Sequence, residues 1–82
     1  MTEKEIQLLG FSKREELEEP NPYYYYVYTV SQGVQFISNA NDELINHEWH
    51  VEFMDSDPAI IFTKFEEVQS LINLLTKRKM YD

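Results

Sequence analysis

Eighty-two residues limit this chain to one small domain, because a chain of that length buries only a modest fraction of its surface. It has no cysteine, which excludes a disulfide framework and thiol chemistry, and its 15% aromatic content has to fill the core instead. A net charge of −8 sets it against nucleic-acid binding, which draws most of its affinity from Lys and Arg contacts to phosphate.

Thr2-Glu3-Lys4-Glu5 has the spacing of a capping box and predicts a short helix over residues 3–9, stopped by Gly10. Such a helix is too short to stand alone, so it must dock through Ile6, Leu9 and Phe11. Residues 11–18 fit either a continued helix or an edge strand ending near Leu17. Pro20-Asn21-Pro22 is a break. Residues 23–30 are aromatic and β-branched and predict a strand; Ser31-Gln32-Gly33 reads as a hairpin turn and residues 34–38 as the return strand. Residues 39–47 are polar and turn-rich. Trp49, Val51 and Phe53 then alternate with Glu48, His50 and Glu52, the pattern of a half-buried antiparallel strand. Asp55-Ser56-Asp57-Pro58 reads as a turn and residues 59–62 as a short strand. Thr63-Lys64-Phe65-Glu66 is spaced as a second capping box, and Phe65, Val68, Leu71, Ile72 and Leu75 recur at helical spacing, so a helix is expected over residues 64–77. The expectation is a single α+β domain, residues 1–82. It has a small antiparallel sheet of three to four strands, a C-terminal helix packed on one face and a short N-terminal helix. The charged N-terminus does not resemble a signal peptide, and residues 59–62 are too short an apolar run to span a bilayer, so a cytoplasmic protein is expected.

The distribution of charge carries more than its sum. Residues 15–63 contain no Lys or Arg, yet hold ten acids: Glu15, Glu16, Glu18, Glu19, Asp42, Glu43, Glu48, Glu52, Asp55 and Asp57. The same stretch holds Tyr23, Tyr24, Tyr25, Tyr26 and Tyr28. On a strand, Tyr24, Tyr26 and Tyr28 face one way and Tyr23, Tyr25 and Val27 the other. One set can lie under the C-terminal helix. The other is exposed, covered by the N-terminal helix, or buried in a partner. Exposed tyrosines are common interface anchors. Base-stacking proteins pair their aromatics with a basic groove, which this stretch lacks. The basic cluster Lys77-Arg78-Lys79 sits where cations complement a helix C-terminus.

His47 and His50 are three apart, and strand alternation puts them on opposite faces, so no metal site is expected. Asp42-Glu43 and Asp55-Ser56-Asp57 read as turn formers rather than a calcium loop. Nothing places two carboxylates in one cleft, no serine sits in a nucleophile elbow, and two glycines make no phosphate loop. The reading is a non-enzyme with no cofactor.

Leu9-Gly10-Phe11, Tyr23 to Tyr26, Ile37-Ser38-Asn39, Trp49-His50-Val51-Glu52-Phe53 and Phe62-Thr63 before a Leu/Ile-rich helix resemble a group of small uncharacterised proteins of Bacteroidota phages and mobile elements. The resemblance covers most of the chain and implies the fold; it carries no catalytic residue. Small acidic phage proteins include anti-CRISPR inhibitors, similar in size and charge. The expectation is therefore an inhibitor of a host nucleic-acid-processing defence protein, such as an RNA-guided CRISPR nuclease, and no direct nucleic-acid or membrane contact. Its contact residues would be Glu15, Glu16, Glu18, Glu19, Tyr24, Tyr26, Tyr28, Glu48, Glu52, Asp55 and Asp57. The alternative is an accessory phage protein that self-associates, as a homodimer, through the tyrosine strand.

Overall fold

Thr2 closes the first turn of α1 (Glu3–Leu8): its Oγ1 accepts from the Glu5 amide at 3.2 Å, and Glu5 Oε1 accepts from the Thr2 amide at 2.8 Å. The expected capping box is therefore formed. Six residues make a marginal helix, and α1 is held by Ile6, which is wholly buried. Gly10, at φ +95°, takes the left-handed conformation that ends the helix cheaply and turns the chain into the sheet.

The computed structural model describes residues 1–17 and 19–77; Glu18, Arg78 and Lys79, singled out above, lie outside them. After α1 come β1 (Ser12–Glu16), β2 (Tyr23–Ser31), β3 (Val34–Ser38), a 3-10 turn (Asn41–Glu43), β4 (Val51–Phe53), β5 (Ile61–Phe62) and α2 (Phe65–Lys77). The five strands form one antiparallel sheet in the order β1-β2-β3-β4-β5. This is the expected α+β fold with one strand more than expected. The extra strand is β1. Its Ser-Lys-Arg-Glu-Glu sequence has good helix formers, but the edge of β2 offers five paired positions from Ser12↔Val27 to Glu16↔Tyr23, and that pairing overrides propensity.

The β2–β3 hairpin turns at Gln32-Gly33, with Gly33 at φ +84°. The expected strand over Glu48 to Phe53 forms only from Val51. Before it, Ile45 and Glu48 bridge across Asn46 (φ 55°) and His47 (φ 61°), the positive-φ pair of a tight hairpin. Trp49 is nonetheless buried. The Met1 ammonium donates to the carbonyls of Trp49 (3.0 Å) and Thr63 (3.1 Å), and the Trp49 amide donates to Met1 O at 3.0 Å.

One hydrophobic cluster joins α1, the sheet and α2: Ile6, Phe11, Tyr26, Phe36, Trp49, Val51, Val68 and Ile72. Both helices thus cover the same face of the sheet. That settles the two tyrosine sets. Tyr26 is 2% exposed, and Tyr24 and Tyr28 pack partly buried against the core. The three tyrosines named as contact residues, Tyr24, Tyr26 and Tyr28, are thus on the helix-covered side: their parity on β2 matches Phe36, Val51 and Phe53 on the neighbouring strands, so they turn inward. Trp49 packs edge-on to Tyr26 at 5.6 Å and stacks on Tyr24 at 6.0 Å, and Phe36 stacks on Phe53 at 4.6 Å.

Candidate interaction face and the cleft at Tyr23

Residues paired across antiparallel strands project to the same side. Pairing therefore draws a row across all five strands on the side opposite the helices: Ser12, Val27, Ile37, Glu52 and Ile61. Tyr25 beside Arg14 and Tyr23 beside Glu16 lie on the same side. Among the described residues, no helix covers this face. Ile61 is 52% exposed, Tyr23, Tyr25, Ile37 and Glu52 are half-buried, and Val27 is buried at the middle of the row.

Unequal strand lengths shape one end of the face. β2 has nine residues and β3 five, and their pairing begins at Val27↔Ile37. Earlier β2 amides on that edge need other acceptors, since a buried amide left unpaired is costly. The Tyr26 amide donates to Ser38 Oγ at 2.9 Å, and the Tyr24 amide to Asn41 Oδ1 at 2.7 Å. Ser38 is itself buried and passes its hydroxyl proton toward Asn39 O at 2.8 Å. Side chains thus replace the missing backbone ladder, and the chain after β3 stands off from β2.

The stand-off leaves concavities around Tyr23. One of about 300 Å³ lies between Tyr23, Tyr25, Ile37, Ala40 and Glu43, and another of about 250 Å³ lies beside Tyr23, Asp42 and Glu43. A third, about 340 Å³, is walled by Tyr23, Tyr24, Leu17 and Pro22, with Glu15 at its rim. The Tyr23 and Tyr25 rings stack at 6.3 Å and 28°. The Tyr25 hydroxyl donates to Glu16 Oε1 at 3.3 Å, and Glu43 Oε1 accepts from the Ala40 amide at 2.9 Å, fixing the 3-10 turn.

The helix side is organised around a different carboxylate. Glu3 accepts from Tyr26 Oη at 2.6 Å and Tyr24 Oη at 3.3 Å, and Gln7 Nε2 donates to Tyr26 Oη at 3.0 Å. Burial, reinforced by the hydrogen bond to Glu3, pushes the Tyr26 hydroxyl up to about 12; burial and then Glu3 also raise Tyr24. Both phenols are donors in a closed network.

The predicted contact acids do not form one strip. Alternation sends Glu15 to the helix side, where Lys13 pairs with it at 3.7 Å and stands 4.1 Å over the Tyr24 ring. Glu16 goes to the open face and Glu19 to the following turn. Glu52 lies mid-face between Ile37 and Ile61. Glu48 is exposed, 3.3 Å from the Met1 ammonium; Asp55 and Asp57 are exposed in the β4–β5 turn. Tyr23, Tyr25, Asp42 and Glu43, noted in the sequence but not in the expected contact set, and Ile37 lie beside these concavities. A signal existed: the odd-numbered set on β2 ends in Thr29 and Ser31, polar residues that mark the solvent side, while the even set ends in Val30.

Among the described residues, no group of three or more His, Asp or Glu side chains is placed to hold a metal ion, and no helix is long and apolar enough to cross a membrane. No family model matches the chain, and neither a curated protein nor a solved structure matches it.

Proposed function

We propose that this protein is a binding module that covers a basic surface on another protein, acting as an inhibitor of a nucleic-acid-processing defence enzyme of the anti-CRISPR kind. The observation that carries the reading is the uncovered sheet face, with Tyr23, Tyr25, Ile37 and Ile61 framed by Glu16, Glu43 and Glu52. Among the described residues that strand pairing assigns to it, Arg14 is the one base. Apolar and aromatic area supplies affinity, and the acids supply steering toward a surface of Lys and Arg built for phosphate.

The test is capture of partners from a Bacteroidota lysate on immobilised protein, washed at rising salt, beside a Glu16→Lys/Glu52→Lys variant whose fold is checked by circular dichroism. A basic nucleic-acid enzyme that the parent retains, that salt and the variant release, and that loses its nucleic acid when bound, supports the reading. Equal retention by the variant removes this face from it.

A second reading is self-association at the β5 edge, favoured by Ile60 and Ile61, which are 50% and 52% exposed beside a two-residue edge strand. Light scattering decides it: a monomer at high micromolar concentration ends this alternative.

A further inference from the structure

We infer that the cleft walled by Tyr23 receives one arginine side chain of the partner protein, an inference that rests on the docking reading above and names the group that enters. Size is the first argument. Concavities of about 250 and 300 Å³ sit at or below the lower end of ligand sites, too small for a large cofactor and suited to a side chain. The walls are the second. Ile37 and Ala40 offer an apolar floor to a methylene stem, and the Tyr23–Tyr25 stack offers ring surface to a planar cation.

Charge is the third argument. Glu43 borders both concavities and Asp42 the smaller one, both exposed, and among the described residues no Lys or Arg lines either. One Glu43 oxygen is committed to the Ala40 amide, which holds the carboxylate in place. The helix side shows what this combination does with a cation. There Lys13 lies over Tyr24 and pairs with Glu15, so a ring and a carboxylate are satisfied within the chain. Beside Tyr23 the exposed carboxylates are those of Asp42 and Glu43. Arginine fits better than lysine, because a guanidinium is planar, weakly hydrated and able to bond a carboxylate while stacking on a ring. Arg14, the base beside Tyr25, works against the incoming cation.

The experiment is an amide NMR titration of the full chain at low salt with acetyl-Gly-Arg-Gly-amide, beside its lysine and citrulline counterparts. Saturable shifts at Tyr23, Tyr25, Asn41, Asp42 and Glu43 are expected with the arginine peptide. They should be weaker with lysine and absent with citrulline. Asp42→Asn should weaken binding roughly two- to fivefold, the range of one exposed ion pair, and Arg14→Gln should strengthen it. Equal shifts with citrulline, or unsaturated shifts spread to Asp55 and Asp57, overturn the inference. If the lysate partner is retained equally by the parent, Tyr23→Leu and Asp42→Asn while the arginine peptide leaves the cleft unshifted, this inference fails and the docking reading stands. Arginine binding at the cleft with no partner captured sinks the docking reading alone.

Discussion

Glu3 takes hydrogen bonds from two phenols at once, and this gives the six-residue α1 a polar attachment beside Ile6. The linkage has a sign. The folded Tyr26 hydroxyl lies at about 12 against 10.0 for a free one, so its stabilisation is fully present below pH 10 and is lost as pH rises to 12. The loss should be about 2 kcal/mol from Tyr26, with Tyr24 adding in the same direction. Urea unfolding between pH 9 and 12 measures it, and Tyr26→Phe should flatten the dependence. Ser38 is a second residue whose role is local and polar. Ser38→Ala leaves the Tyr26 amide without its acceptor and should cost about 1–3 kcal/mol. Faster hydrogen exchange at the Tyr26 amide would separate this cause from a general loss of packing.

At the scale of elements, turns and caps follow local chemistry, and strand pairing does not. Gly33 sits in the β2–β3 turn with nothing within 4 Å of where a Cβ would stand, so Gly33→Ala isolates backbone strain. It should cost about 1–2 kcal/mol in chemical denaturation, and Gly33→Asn should cost less because Asn visits the left-handed region more readily. A clash would instead make Asn the worse of the two. β1 illustrates the other case. Nothing within Ser-Lys-Arg-Glu-Glu requires a strand; the edge of β2 supplies the requirement. The step from β2 to the shorter β3 likewise produces the cleft, through Ser38 and Asn41 standing in for a ladder.

At the scale of the whole molecule, charge −8 is spread over a fold with two ion pairs among the described residues, Met1–Glu48 and Lys13–Glu15. Screening therefore removes more repulsion than attraction. Added NaCl should raise the melting temperature at pH 7, and the rise should shrink near pH 4.6, where the net charge vanishes. An equal rise at both pH values would point to general salt effects on burial instead.

The sequence by itself determined the α1 capping box, both turns rich in Gly or Asp, the β2–β3 hairpin, the α2 stripe and the absence of bases from residues 15–63, because each is written in neighbouring residues. Val68 and Ile72 are buried as their spacing implied. What the tertiary structure alone decided is which side of the tyrosine strand is covered. A strand's period of two offers Tyr24, Tyr26 and Tyr28 or Tyr23 and Tyr25 as alternatives, and the choice depends on the register with Phe36 and Val51 and on both helices sharing one face. Those are contacts between residues far apart in the chain. They turned Tyr24, Tyr26 and Tyr28 toward the helices and left Tyr23, Tyr25 and the concavities beside Tyr23 on the other side.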